Sequence, residues 1–215
     1  MPVEVKICGV NAADAMRAAV DGGAAFVGLV FYPPSPRAVT PAEAAALAAL
    51  VPTSVIRVGL VVDATDAMLD EILAAVPLEL LQLHGAETPD RVRAIRERTG
   101  VKVMKAIKVA GPEDVEGADA FVSVADRLLF DAKAPADMKG ALPGGNALAF
   151  DWALLGARDW PCPWMLSGGL DAANLAEAVR ISGVRAVDVS SGIESAPGRK
   201  DPQKIAAFLK AARDL

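Results

Sequence analysis

The 215-residue sequence predicts an α/β fold, a single-domain (βα)8 barrel over residues 1–215, from three observations. Eight short runs rich in Val, Ile, Leu and Phe recur along it. They show no polar alternation, which marks parallel strands buried on both faces. Between most of them lies a segment with apolar residues at helical spacing. Eight such units of about 27 residues approach the size of a closed barrel, though they fall below its usual length. An open doubly wound sheet is the structural alternative. It would usually need fewer strands, and no G-x-G-x-x-G follows the first run.

The strand candidates are 5–8, 25–31, 55–62, 80–84, 102–107, 128–131, 164–167 and 186–190. Met16, Ala19 and Val20 share one helical face, as do Leu69, Ile72, Leu73 and Val76, and Ile205, Phe208, Leu209 and Ala212. "TPAE" at 40–43 gives Thr40 as N-cap, Pro41 in the first helical position and Glu43 to complete a capping box. "TP" at 88–89 and "DP" at 201–202 start helices in the same way. Residues 112–126 form a weak helical stretch, expected as a short helix plus connector. About eighteen residues without a pattern follow Asp131. A loop of that length in a compact domain is usually functional or disordered.

Composition narrows the function. The chain is 53% hydrophobic and carries a net charge of −5, enough for a large core and without the basic clusters of a nucleic-acid binder. It shows no basic-then-apolar leader and no eighteen-residue apolar run, so neither a signal peptide nor a membrane span is expected. Two distant cysteines do not make a disulfide framework, and a cytoplasmic protein is expected. His84 is the only histidine. With two isolated cysteines it gives no convincing metal set, and no metal is expected.

Barrel enzymes build their sites where strands end. "LSGGL" (166–170) and "DVSSGIE" (188–194) close the last two strands. Gly168, Gly169, Ser190, Ser191 and Gly192 there offer close backbone approach and N–H groups for a phosphate. Cys8 ends the first strand. It is either a buried small hydrophobe or, at the barrel mouth, a nucleophile or base if neighbours such as Lys6 favour its thiolate. Lys6 suits a structural role equally. Cys162 has no such placement and reads as structural or incidental. Asp131 ends the sixth strand as either a helix cap or a general acid. Capping is the weaker reading, because no helix follows at once. Arg37 closes the stiff loop "FYPPSPR", positioned for a carboxylate or for a surface salt bridge. His84, in "QLHG", suits a backbone contact and a functional role equally.

These stretches together resemble the phosphoribosylanthranilate isomerase family of tryptophan biosynthesis. "KICG", "GLVFYPPSPR", "LQLHG", "LLFDA", "PGG…FDW", "SGGL" and "DVSSGIE…PGRKD" occur in that family's order over nearly the whole chain. The resemblance implies a TIM barrel with no cofactor. It implies an Amadori rearrangement of N-(5-phosphoribosyl)anthranilate to 1-(2-carboxyphenylamino)-1-deoxyribulose 5-phosphate, the third step of the tryptophan branch from chorismate. It makes Cys8 the general base, Asp131 the general acid and Arg37 the anthranilate-binding residue. His84 and Asp188 would lie near the substrate. Asn146 and Ala147 depart from the family's usual Thr and Gly.

Two other readings share some of these features: a lyase of the indole-glycerol-phosphate synthase kind and a non-catalytic phosphosugar-binding module. The first needs a catalytic lysine, and Cys8 with Asp131 argues against both. A side activity on a histidine-pathway aminoaldose is disfavoured, since that isomerase uses two aspartates. The only partner expected is the small-molecule substrate, with no nucleic acid or membrane. A monomer is expected first, a homodimer next.

Overall fold

The computed structural model describes residues 3–135, 138, 144–146 and 148–215. Eight parallel strands close into a barrel in chain order: β1 (Glu4–Cys8), β2 (Phe26–Val30), β3 (Ile56–Val61), β4 (Leu80–Leu83), β5 (Lys102–Val109), β6 (Arg127–Ala132), β7 (Trp164–Leu166) and β8 (Ala186–Val189). Closure sets Glu4–Ile7 against Ala186–Val189, with Lys6 opposite Asp188. The predicted closed barrel is therefore present, and the open sheet is not.

The helices on the outside are α1 (Ala13–Asp21), α2 (Pro41–Ala48), α3 (Asp66–Ala75), α4 (Pro89–Thr99), α5 (Pro112–Gly117), α6 (Ala153–Gly156), α7 (Leu175–Ser182) and α8 (Pro202–Arg213). Their starts follow the sequence signals. Thr40 and Glu43 form the expected capping box, and the Thr88 and Asp201 side chains accept first-turn N–H groups. The weak stretch after residue 112 resolves into α5 and a single 3-10 turn, Ala118–Phe121.

Side chains alternate across each strand, and this sorts them into two cores. Phe26, Val58, Leu80, Met104, Leu129, Met165 and Ala186 fill the barrel interior. Ile7, Val27, Leu29, Leu81, Leu83, Phe130 and Val187 pack under the helices. Between β6 and β7, α6 is only one turn long, and the prolines in "WPCPW" prevent a longer helix nearby. Phe130, Trp160 and Trp164 cover that flank, with ring centroids 4.5–6.4 Å apart. One element was not foreseen. After β8 the chain makes a 3-10 turn, Ser191–Ile193, then a hairpin of β9 (Glu194–Ala196) and β10 (Arg199–Lys200). Among the described residues no helix is long and apolar enough to cross a membrane.

Candidate active site

The alternation that builds the inner core also builds the site. Cys8 shares the parity of Lys6, His84 that of Gln82, Asp131 that of Leu129, Ser167 that of Met165, and Asp188 and Ser190 that of Ala186. At the carboxyl ends of the strands these inward positions change from apolar to polar. Cys8, Arg37, His84, Asp131, Gly168, Gly169, Asp188, Ser190 and Ser191 line one cavity at the mouth of the barrel. Its concave lining, apolar with a few convergent polar groups, suits a small-molecule ligand. Gly192 stands off the wall, where it packs against the Leu170 carbonyl and the Asp171 side chain. Residues 136, 137 and 139–143 of the long loop after Asp131 lie outside the described residues, as does Ala147. Asn146 is described and lines the cavity with Gly144, Gly145 and Leu148.

Cys8 and Asp131 are both 4% exposed. Asp131 Oδ1 accepts the N–H of Ala132 at 3.0 Å, and Oδ2 lies 3.3 Å from His84 Nε2. A Cβ on Gly144 would sit 2.7 Å from both of those facing atoms, so any other residue there would displace one of the pair. Below Cys8, Lys6 Nζ donates to Asp188 Oδ1 at 2.8 Å, and Ser167 Oγ donates to Asp188 Oδ2 at 3.1 Å. Burial opposes the charge on Lys6, but Asp188 outweighs it and holds the ammonium above its usual value.

Lys6 favours the Cys8 thiolate, as expected, but it is outweighed. Burial and the Asp188 carboxylate push the thiol up, and Lys6 and Lys200 only partly offset them. Burial is the larger of the two raising causes, and the Asp188 carboxylate adds to it.

Arg37 is not on the surface; it is 6% exposed. Its Nε and Nη2 donate to Glu194 Oε1 and Oε2 at 2.7 and 2.9 Å, and Nη2 also reaches the Gly145 carbonyl at 3.3 Å. Glu194 accepts from Lys200 Nζ at 2.7 Å as well. Lys200 in turn donates to the Ser190 carbonyl and hydroxyl at 2.9 and 3.1 Å. Burial alone would raise the Glu194 carboxyl. Arg37 and Lys200 outweigh it and hold that carboxyl below the usual carboxylate range. Burial keeps Lys200 below its usual value despite Glu194.

Gly168 and Gly169 take φ of +92° and +64°, a left-handed conformation that other residues rarely adopt. Asn174 fixes their loop by donating to the Gly169 carbonyl at 2.8 Å.

Sequence reasoning did not find Glu194, Lys200, Gln82, Asn174 or the buried Glu87–Lys105 pair. Glu194 and Lys200 are six residues apart around Pro197-Gly198, which is a readable turn signal. Gln82 stands two residues before His84 on a strand, hence on the same face. Lys105 interrupts the apolar run of β5. Its Nζ donates to Glu87 Oε2 at 2.9 Å and to the Gly85 carbonyl at 2.8 Å, anchoring the turn that follows His84.

The chain matches the family model described as N-(5'-phosphoribosyl)anthranilate (PRA) isomerase over residues 5–211. It is 61% identical to the N-(5'-phosphoribosyl)anthranilate isomerase of Paramagnetospirillum magneticum, covering 99% of this chain and 98% of that one. It is 60% identical to that of Rhodospirillum centenum over the full length of both. Among solved structures it resembles the Thermotoga maritima phosphoribosyl anthranilate isomerase, with a TM-score of 0.88, 37% identity, and 99% and 100% coverage. It also resembles a phosphoribosyl anthranilate isomerase solved with reduced 1-(o-carboxyphenylamino)-1-deoxyribulose 5-phosphate, with a TM-score of 0.85, 36% identity, and 99% and 100% coverage. On the family match along nearly its whole length, joined to a closed barrel with a polar mouth, the chain belongs to the N-(5'-phosphoribosyl)anthranilate isomerase family.

Proposed function

We propose that this cavity rearranges N-(5-phosphoribosyl)anthranilate to 1-(2-carboxyphenylamino)-1-deoxyribulose 5-phosphate in tryptophan biosynthesis, with Asp131 as general acid and Cys8 as general base. One observation carries the assignment. A carboxyl from β6 and a thiol from β1, both buried, line the same cavity. An aldose-ketose isomerisation needs an acid at the ring oxygen and a base at C2. The hydrogen and electrons stay within one molecule.

The chemistry runs as two proton transfers with the protein followed by a tautomerisation. The Asp131 proton goes to the ring oxygen, the C1–O bond breaks toward that oxygen, and the anthranilate nitrogen lone pair forms a C1=N bond. The Cys8 thiolate then takes the C2 proton. The C2–H electron pair forms C1=C2, and the iminium nitrogen recovers its lone pair. Proton gain at C1 and loss from the C2 hydroxyl give the ketone. A positioned acid or base typically contributes about 10²–10⁴-fold.

Arg37 is assigned to the anthranilate carboxylate. Its contacts with described residues use Nε and Nη2, while Nη1 faces Gly145 at the cavity. Gly168, Gly169, Ser190, Ser191 and Gly192 are assigned to the phosphate, Gly192 by letting the two loops pack closely. Asp188 is assigned to the sugar and His84 to the neighbourhood of the acid. The ligand of the solved relative carries the same carboxylate and phosphate at opposite ends.

A lyase of the indole-glycerol-phosphate synthase kind is disfavoured, because the described residues lining the cavity include no lysine. We take residues 1–215 as one catalytic domain acting as a monomer. Leu50, Ile56, Met138 and Leu215, the exposed large apolar residues among the described ones, come from separate segments of the chain, although a Thermotoga maritima relative is described as dimeric. A cytoplasmic location fits the two free cysteines.

Steady-state kinetics following loss of phosphoribosylanthranilate fluorescence test the roles. Cys8→Ser and Asp131→Asn should each lower kcat by about 10²–10⁴-fold while KM stays within a few-fold. Near-normal turnover of either variant sinks that residue's role.

A further inference from the structure

We propose that Gln82 is a positioning residue that fixes His84 as its Nε2–H tautomer, so that the ring donates toward Asp131 and leaves the acid's proton for the substrate. The proposal rests on the reading of Asp131 as general acid.

Gln82 and His84 stand two residues apart on the inner face of β4 and its end. Gln82 is fully buried, and His84 is 4% exposed. Both line the cavity with Asp131. Gln82 Nε2 lies 2.8 Å from His84 Nδ1. An amide NH₂ only donates, so with the NH₂ of Gln82 turned to the ring, and its Oε1 left buried without a hydrogen-bond partner among the described residues, Nδ1 offers its lone pair. A neutral imidazole then carries its hydrogen on Nε2. That Nε2 is buried, has no hydrogen-bond partner among the described residues, and lies 3.3 Å from Asp131 Oδ2.

The tautomer decides where a proton on Asp131 goes. With hydrogen on Nδ1, the bare Nε2 lone pair would accept the Asp131 proton and compete with the substrate's ring oxygen. With hydrogen on Nε2, the ring cannot accept it. The protonated Nε2 instead stands 3.3 Å from the carboxylate left after proton transfer and reaches it by a small reorientation of the ring, and the acid's remaining hydrogen-bonding direction is the cavity. Asp131 Oδ1 is already occupied by the Ala132 N–H, so Oδ2 is the oxygen this arrangement controls. Gly144 leaves room for the pair to adjust without a side chain between them.

His84 is the only histidine in the chain, so nitrogen-15-labelled histidine reports this ring and no other. In the wild-type protein Nδ1 should resonate as an unprotonated, pyridine-like nitrogen and Nε2 as a protonated, pyrrole-like one. Gln82→Glu replaces the donor with an acceptor and should move a proton onto Nδ1. It should lower kcat by about 10²-fold, the low end of what a placed acid contributes, with KM within about three-fold. A wild-type spectrum with Nδ1 protonated overturns the proposal, and this measurement stands even where Gln82→Glu does not fold. Wild-type kcat in a folded Gln82→Glu variant overturns it as well. Asp131→Asn separates the two readings. Normal turnover in that variant removes the acid assignment and leaves the tautomer untouched. A dead Asp131→Asn beside a protonated wild-type Nδ1 removes the Gln82 role alone.

Discussion

Replacing Glu194 by Gln tests whether the hairpin after β8 organises the mouth of the barrel. One carboxylate there accepts from Arg37 Nε and Nη2 and from Lys200 Nζ at 2.7–2.9 Å, and from the Gly198 N–H at 3.3 Å. The three side chains are 0–7% exposed, so water cannot readily replace it. An amide keeps the shape but loses the charge, and its NH₂ must face a donor. Removing one partner of a buried pair usually costs about 3–5 kcal/mol, and here two cations lose their counter-charge. For a chain of 215 residues, that loss lowers Tm by roughly 6–20 °C. Urea titration followed by circular dichroism measures it directly. KM for phosphoribosylanthranilate should rise in the same variant, because Arg37 loses the group that aims it.

The loss also has a pH signature. The Glu194 carboxyl titrates lower in the folded chain than in the unfolded chain. Its stabilisation is therefore fully present above the ordinary carboxylate pKa and fades as the pH falls through the lowered folded value. The gap between wild type and Glu194→Gln should be widest near neutrality and shrink in acid. A loss below about 1 kcal/mol near neutrality, the size of an exposed pair, would refute the reasoning.

Four further outcomes follow from the geometry. Gly144→Ala places a Cβ 2.7 Å from Asp131 Oδ2 and from His84 Nε2, and should lower kcat by about 10²-fold with little change in Tm, since displacements near 1 Å carry that cost. Lys105→Met leaves Glu87 buried without its cation and should cost about 3–5 kcal/mol in urea unfolding. Because burial and Asp188 push the Cys8 thiol up, kcat/KM should keep rising with pH through the ordinary thiol range. In Asp188→Asn, thiolate absorbance recorded in a Cys162→Ser background should appear at lower pH, since that change removes a raising charge and frees Lys6.

The strands and most helix starts were legible because they depend on local rules. A run such as "FVGLV" has only one way to be buried on both faces, and Thr40-Pro41 with Glu43 caps a helix wherever it sits. The placement of Cys8 and Asp131 at the mouth was legible for a related reason. A strand's end and its inward parity can be read from position alone, and the last inward residue of a barrel strand faces the mouth. The Arg37–Glu194 pair spans 157 positions and exists only because β8 closes against β1. No local pattern encodes it, so Arg37 could be read as a surface residue. Gln82 was missed although its parity was visible, because a polar residue inside "LLQL" acquires meaning only once its amide is seen against a ring nitrogen.

The same electrostatics account for a thiol at the end of β1. The inward ring at the mouth already carries Asp188 and Asp131, and the Lys6 charge is matched by Asp188. A carboxylate at position 8 would meet Asp188 as a like charge in a buried setting, where such repulsion is poorly screened. A thiol rests neutral there, so burial costs it little while the cavity waits for substrate. Raising its pKa reduces the thiolate fraction, but each thiolate that forms is a stronger base toward C2, the trade that Brønsted behaviour describes. The feature that makes Cys8 look like an ordinary buried hydrophobe thus suits it to the proton transfer assigned to it. Asp188 links the two properties, since it holds Lys6 in place and keeps the thiol protonated at rest.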